Sequence, residues 1–171
     1  ILSTKSVLKI LKAMANAAVH MHERCIMHGD FYAHNILIDK NDNCILGDFG
    51  GASYYEQEDI QIQKTLEQFE VRAFGCLIED LLYVSKQDLE YKNIRDSLLQ
   101  LKTLCLDEMP NKRPLFKQVL KLLKQCVFFF ILSLKEKENF KNLKIAKKNQ
   151  KSTIFIILKG RENGRRSVSE L

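Results

Sequence analysis

The chain has 171 residues, of which 46% are hydrophobic and 28% are charged, and its formal net charge at pH 7 is +6. This length suits one domain with an extension, and it is sufficient to bury a core of ordinary size. The positive charge belongs to the end of the chain, because residues 1–126 have a net charge of −1 and residues 127–171 a net charge of +7. The composition therefore excludes a folded body that is basic overall, and we expect no nucleic acid as a partner.

The cysteines and the hydropathy of the chain indicate its cellular compartment. The five cysteines are scattered and include no C-x-x-C pair, which argues against a disulfide framework and against a zinc site. The longest uninterrupted apolar run, VFFFIL, is far shorter than the about 20 residues needed to span a bilayer. We expect an intracellular, cytoplasmic protein with no transmembrane segment. The chain starts at Ile1 rather than Met, so we also expect it to begin inside a longer polypeptide, whose N-terminal region could change this localisation.

The first predicted element is a helix over residues 6–23. Its apolar residues recur at helical spacing, and Ser3 and Thr4 precede it as candidate N-caps. The apolar set is Val7, Leu8, Leu11, Ala15, Ala18 and Met21.

Three short apolar runs follow, CIM, NILID and CILGD. They are separated by HGDFYAH and by the turn-rich KNDN, a pattern typical of short strands joined by loops. We expect a small antiparallel hairpin here, resting on the first helix.

The second half of the folded body is predicted to be helical. A strongly apolar periodic stretch predicts a buried helix over residues 71–83. Gly75 inside it lowers helix propensity by about 1 kcal/mol relative to alanine, so we expect close packing against another backbone as compensation. Two further helices are predicted over residues 93–106 and 115–125, separated by MPNKRP, which contains both prolines of the chain.

Residues 127–171 form a lysine-rich tail of low complexity, in which KEKENFKNLKIAKKNQK lies between two apolar segments. We expect a solvated, poorly ordered extension outside a folded domain of residues 1–126. The alternative is a basic anchor for an acidic membrane surface or a nucleic acid.

Three side chains with hard oxygen atoms fall at fixed separations around the predicted strands. Asp30 and Asn35 are five residues apart across a loop, and Asp48 follows the next strand. Oxygen ligands that converge in this way suit Mg²⁺ with the phosphates of a nucleotide, and a further carboxylate would accept a hydroxyl proton. The pattern predicts that Asp30 is this base and that Asn35 and Asp48 bind the metal. Gly50 and Gly51 would allow the backbone to turn sharply after Asp48.

Each of these residues has a simpler explanation when taken alone. Asp and Asn near turns usually bend or cap the backbone, and a single histidine such as His28 is more often a packed residue than a catalytic one. The combination H-x-D-x-x-x-x-N followed by D-F-G favours a functional origin.

HGDFYAHNILID and GDFG resemble the catalytic loop and the metal-binding segment of eukaryotic-type protein kinases. EVRAFGCLIEDLL resembles the buried central helix of the kinase C-lobe, and CLDEMPNKRPLFKQVLKLL resembles its closing helices with their Arg-Pro signature. The resemblance implies a protein kinase-like α+β fold in which residues 1–126 form a mainly helical C-lobe. A small β-hairpin region is expected at the catalytic loop, and the N-lobe is expected to be absent.

The same resemblance implies roles for single residues. Asp30 corresponds to the catalytic base, Asn35 to the second metal ligand and Asp48 to the main Mg²⁺ ligand, with ATP and Mg²⁺ as cofactors and a protein as substrate. Structural support is implied for residues around them. Of these, His28 and Phe49 would pack beneath the site, and Gly50 would form part of the turn after Asp48. Glu70 would hold the catalytic-loop backbone. Arg113 would pair with a glutamate of the activation segment.

Departures from the family pattern weaken the case for regulation by phosphate. Gly29 replaces the arginine that precedes the catalytic aspartate, so the usual docking group for a phosphorylated activation loop is absent. Phosphorylation of Tyr54, Tyr55 or Thr65 is therefore not expected to switch the protein on.

The catalytic loop itself also differs. Serine/threonine kinases place a lysine between the positions of Asp30 and Asn35, whereas here Tyr32 stands in its place. His34 is the one candidate substitute cation, and a neutral histidine would stabilise transition-state charge less well.

The segments on either side of the loop differ as well. The chain has no Ala-Pro-Glu motif, and Glu56 and Glu58 are the available partners for Arg113. The first glycine is Gly29, so no glycine-rich loop precedes the catalytic loop, and we expect this chain alone to be inactive.

Three functional hypotheses follow. The first is a protein kinase-like phosphotransferase that moves the γ-phosphate of ATP to a Ser, Thr or Tyr hydroxyl of a protein. The second is an inactive pseudokinase or interaction module, which the missing lobe and altered loop favour. The third is a small-molecule kinase of the aminoglycoside or choline type, since HGD with a downstream Asn also resembles that loop. It ranks last because AFG and NKRP are protein-kinase features.

Overall fold

The computed structural model describes residues 2–87 and 89–126, together with residues 128 and 135. The chain divides into two compact units, Ile1–Phe130 and Ile131–Leu171, and all elements below belong to the first. The predictions for the tail fall almost entirely outside the described residues, so the boundary at residue 126 and the order of the tail stay predictions.

Helix α1 spans Thr4–His22 and confirms the first predicted helix, which begins two residues earlier than expected. Its N-cap is Ser3, whose hydroxyl accepts a hydrogen bond from the backbone N–H of Ser6 at 3.0 Å. The apolar stripe is buried as its period predicts. His22 continues this buried face at the last position of the helix.

Four short strands form two separate two-stranded antiparallel sheets. The predicted hairpin is confirmed as β2 (Ile36–Ile38) paired with β3 (Cys44–Leu46), and its turn is held by the Asp39 carboxylate, which accepts from two backbone N–H groups. The first apolar run does not join this hairpin. It forms β1 (Ile26–Met27), which pairs with β4 (Ser53–Tyr54) beyond the D-F-G segment.

Helix α2 spans Ile60–Tyr83 and is much longer than the predicted helix over residues 71–83. The Asp59 side chain caps it by accepting from the N–H of Gln61 at 2.8 Å. The prediction missed the first turns because Ile60 and Ile62 are exposed, so the apolar period that marks a buried face starts only later. Helix α3 (Lys92–Cys105) and helix α4 (residues 116–126) confirm the two closing helices.

Gly75 lies where α2 and α3 pack together. A Cβ atom at this position would lie 2.7 Å from Leu106 Cδ2 and 3.0 Å from Cys105 Cβ. The predicted close packing is present, but its partners are side chains at the end of α3 and not another backbone.

The core connects the helices to the loop that carries Asp30. Phe31 is buried, and its ring lies 6.3 Å from that of Phe74 and 5.9 Å from that of Phe116, measured between ring centroids. Because Phe31 follows Asp30 directly, this aromatic cluster holds the Asp30 loop on the helical core. Within the described ranges, no helix is long and apolar enough to cross a membrane.

Candidate active site

Asp30 and Asn35 lie together in the loop before β2. The side-chain amide of Asn35 donates one hydrogen bond to the backbone carbonyl of Asp30 at 2.9 Å and a second to its Oδ2 atom at 2.8 Å. His34 Nε2 lies 3.2 Å from the same Oδ2 atom, and the ring of His34 stacks on that of Tyr32. Asn35 is buried, whereas the Asp30 carboxylate is partly exposed, so the hydrogen bonds from Asn35 reach Asp30 from the protein interior.

These contacts change the acidity of Asp30. The hydrogen bond from Asn35, and then that from His34, lowers the pKa of the Asp30 carboxyl below its ordinary value of 3.8. The group is therefore a carboxylate at neutral pH. Because the folded-state pKa is the lower one, the charged form favours folding above the unfolded-state pKa, and this contribution is lost as the pH falls through the folded value.

Replacing Asn35 is expected to shift the titration of Asp30 upward. Asn35→Ala removes the largest cause of the lowered pKa, so the midpoint seen by ¹³C NMR of the Asp30 carboxyl should rise toward 3.8. His34→Ala should give a smaller rise. Asp39 is the internal control, because its pKa is lowered mainly by Asn43. An Asp30 midpoint that stays in place in Asn35→Ala would contradict the assignment.

The hairpin brings Asn35 and Asp48 to the same end. Asn35 immediately precedes β2, and its carbonyl accepts from the N–H of Gly47 at 2.8 Å, so Asp48 is the next residue beyond the last cross-strand hydrogen bond. Asp48 is exposed and has left-handed backbone angles, φ 53° and ψ 73°. Such a conformation in a non-glycine residue is uncommon and concentrates at functional sites.

The donor set at this end of the hairpin suits a hard cation. The Asn35 amide nitrogen donates to Asp30 twice, so the Oδ1 atom of Asn35 remains available as a ligand, and the exposed Asp48 carboxylate lies at the same end of the hairpin. Mg²⁺ typically binds one or two protein oxygens together with phosphates and water. In the described part of the chain, no set of three or more His, Cys, Asp or Glu side chains converges as a metal site. A metal ion bound by Asn35 and Asp48 would take its remaining ligands from water or phosphate oxygens.

The turn after Asp48 differs from the expectation for Gly50 and Gly51. Both lie in a short 3-10 turn over Phe49–Gly51, and the left-handed residue is Asp48 itself, whose Oδ1 accepts from the N–H of Gly50 at 3.2 Å. The small size of these glycines matters elsewhere, because Gly51 lies against Gly29.

Glu70 is a buried residue that holds the backbone just before Asp30. Its Oε1 atom accepts from the backbone N–H of Gly29 at 2.9 Å, and its Oε2 atom accepts from that of His28 at 3.3 Å. The Glu70 carboxylate on α2 therefore binds the backbone of the two residues that precede Asp30. His28 is fully buried, with Nε2 2.9 Å from the carbonyl of Gly47 and Nδ1 accepting from the N–H of Asp30 at 3.3 Å.

With this geometry in view, comparison with known sequences decides the family. A sequence model described as "Protein tyrosine and serine/threonine kinase" matches residues 1–89. The chain belongs to this kinase family. Its helix-rich fold is compatible with part of a kinase C-lobe.

The relatives of this kinase-family chain are named as kinases. The receptor kinase V.8 of the L-type lectin-domain group in Arabidopsis thaliana is 30% identical over 109 residues, which cover 61% of this chain and 17% of that protein. "Probable inactive L-type lectin-domain containing receptor kinase III.1" of the same plant is 27% identical over 158 residues, covering 67% and 25%. "Probable serine/threonine-protein kinase KIN1 homolog" of Enterocytozoon bieneusi is 36% identical over 52 residues, covering 30% and 9%. The chain spans a quarter or less of the length of these relatives.

Arg113 in this kinase chain does not form the predicted pair with Glu56 or Glu58. Its guanidinium donates to three backbone carbonyls, those of Asp107 at 2.8 Å, Gln68 at 3.2 Å and Glu108 at 3.3 Å. The prediction was wrong because the side chain is buried against α2 and the loop before α4, where backbone carbonyls satisfy it.

The outer face of the hairpin is apolar. Leu37 and Ile45 are cross-strand partners, and each is 70% exposed. Phe49 was expected to pack beneath the site. Its ring does contact that of His28 at 4.7 Å, but 52% of the residue is exposed. The hairpin therefore presents apolar side chains next to Asp48 rather than the polar side chains usual on a solvated face.

Gly29 and His22 were assigned no positive role from the sequence. Gly29 has φ +80°, and His22 is buried against Glu70. A signal for His22 was available, since it continues the apolar stripe of α1. No local pattern marked Gly29.

Proposed function

We propose that this chain contributes the base-bearing and magnesium-binding half of a protein kinase active site, which transfers the γ-phosphate of ATP to a Ser, Thr or Tyr hydroxyl of a protein. The main support for the proposal is the pair of hydrogen bonds that Asn35 donates to Asp30. A buried amide donates both of its N–H groups to one aspartate, which fixes an ionised carboxylate in place at the surface. A general base needs this combination of charge and position.

Each residue of the site has a separate task in this proposal. Asp30 accepts the proton of the substrate hydroxyl and orients it. Asn35 Oδ1 and the Asp48 carboxylate would hold Mg²⁺, which would offset the negative charge that develops during transfer. His34 supplies an N–H group beside Asp30, in the part of the loop where serine/threonine kinases have a lysine.

The apolar face of the hairpin is a second argument for nucleotide binding next to Asn35 and Asp48. Leu37 and Ile45 form an exposed apolar surface on the same strands whose ends carry Asn35 and Asp48. The flat face of a purine base packs on such a surface, while its phosphates extend toward the metal ligands.

Two variants separate the base from the metal ligand. In a protein that carries this chain together with a glycine-rich loop and its lysine, Asp30→Ala should reduce phosphoryl transfer by about a thousandfold with little change in Mg-ATP affinity. Asp48→Ala should also weaken Mg-ATP binding, by about tenfold or more. Radiolabel transfer and calorimetric titration measure the two effects.

Asp39→Ala is the matched control, because Asp39 is an exposed carboxylate on the turn of the same hairpin. It should change neither measurement. Unchanged turnover in Asp30→Ala would remove Asp30 from the base role.

A second candidate function is an inactive kinase-like interaction module. It is favoured by the altered loop between Asp30 and Asn35, where Tyr32 stands in place of the lysine of serine/threonine kinases and only His34 offers a substitute cation. The relative III.1 also has "inactive" in its name. Mg-ATP binding without detectable transfer by the unaltered protein would support this candidate over the first.

A further inference from the structure

A buried chain of hydrogen bonds joins the segment after Asp48 to the catalytic loop. Tyr55 follows β4, and its hydroxyl oxygen lies 2.7 Å from His22 Nδ1. His22 Nε2 lies 2.8 Å from Oε2 of Glu70, the residue that also accepts from the backbone of the catalytic loop. All three side chains are buried. Neither the base nor the metal ligands of the proposed function use Tyr55 or His22.

The chemistry of Glu70 determines the direction of these hydrogen bonds. Its carboxylate accepts from two backbone N–H groups and can only accept from His22 as well, so the hydrogen of the ring lies on Nε2. In the neutral ring, Nδ1 is then an acceptor. The hydroxyl of Tyr55 is the hydrogen-bond partner of Nδ1, and in this neutral tautomer it donates to the ring.

The surroundings keep both partners in this arrangement. The ring of His22 stacks on Phe116, with centroids 5.2 Å apart and planes at 20°. The backbone N–H of Tyr55 donates to the carbonyl of Cys25 at 2.9 Å, which continues the β1–β4 pairing. Burial raises the pKa of the Tyr55 hydroxyl, so it keeps the proton that it donates.

We propose that Tyr55 is a positioning residue: its hydroxyl holds His22 in the tautomer that Glu70 requires, and so couples the segment after Asp48 to the loop that carries Asp30. This neutral contact places the segment without a phosphate, in a chain where Gly29 leaves no arginine to bind one. The inference does not rest on turnover. Its failure would leave the proposed function standing, and the failure of that function would leave the inference standing.

Tyr55→Phe in the full 171-residue chain tests the proposal, because it removes the hydroxyl and keeps the ring. Loss of one buried hydrogen bond should accelerate hydrogen exchange at the amides of His28 and Gly29 about five- to tenfold. The ¹⁵N shifts of the His22 ring should move away from the neutral Nε2–H pattern expected in the unaltered chain. Tyr54→Phe is the matched control, since it deletes a hydroxyl from the adjacent tyrosine, which is 80% exposed. It should change neither readout.

Three results would overturn the proposal. One is exchange of the His28 and Gly29 amides at the unaltered rate in Tyr55→Phe. Another is acceleration by the same factor at core amides such as those of Leu77 and Leu98, which would mean a general loss of stability. The third needs no variant: a protonated ring or an Nδ1–H tautomer at His22 in the unaltered chain would contradict the assigned hydrogen bonds.

Discussion

Glu70→Ala is expected to lower the free energy of unfolding by about 4 kcal/mol, measured by urea denaturation of the full chain. The Glu70 carboxylate is buried and accepts from the backbone N–H groups of His28 and Gly29 and from the ring of His22. Its removal leaves three donors without a partner, two of them on the buried residues His22 and His28, and each buried unpaired donor costs about 1–3 kcal/mol. Water that enters the vacated space offsets part of this sum.

A conservative variant and a control sharpen this expectation. Glu70→Gln should lose less, because the amide oxygen still accepts from Gly29, although the NH₂ group then faces the donors of His22 and His28. Glu79→Ala, on the same helix, removes an exposed ion pair with Lys102 and should cost less than about 1 kcal/mol. If Glu70→Ala and Glu79→Ala were equally stable, Glu70 would not be the anchor of the loop.

Gly29→Ala is expected to destabilise the chain by about 3 kcal/mol. Gly29 has φ +80°, and this left-handed backbone costs a residue with a side chain about 1–2 kcal/mol. A Cβ atom would also lie 2.3 Å from the backbone carbonyl oxygen of Gly51, so one of the two backbones must move. That movement would weaken the hydrogen bond between the Gly29 N–H and Glu70.

Gly47→Ala is the matched control for this prediction. It lies in the same site, but a Cβ there would meet its nearest neighbour, the carbonyl oxygen of Asn35, at 3.7 Å, an ordinary contact. Thermal unfolding of the two variants should differ by several degrees. Equal stability would show that the loop moves freely away from Gly51. The expected result gives a physical reason for the departure from the family pattern: an arginine does not fit this backbone.

Elements defined by local patterns were predictable. Helix α1 and the β2–β3 hairpin follow from apolar periods and turn residues that lie within a few positions of one another. The start of α2 was missed because its first turns are not buried, so the capping by Asp59 was the only local signal. The site motif was visible for the same reason, since Asp30 and Asn35 contact each other across one short loop.

The partners of single polar groups were less predictable. The resemblance implied a glutamate for Arg113, but the folded chain offers three carbonyls that lie closer. A charged donor forms hydrogen bonds with whichever acceptors the fold brings within reach. Residue type alone does not identify those acceptors.

By itself the sequence determined the family, the helices and the pairing of Asp30 with Asn35 in one short loop, because these depend on residue type and short spacing. Only the tertiary structure decided that Glu70 binds the backbone of a loop about 40 residues earlier, and that Tyr55 bonds to His22. It also decided that Gly29 must be small. Contacts between residues far apart in the chain produce no periodic pattern in the sequence. They arise when the helices pack and bring separate backbones within hydrogen-bonding distance.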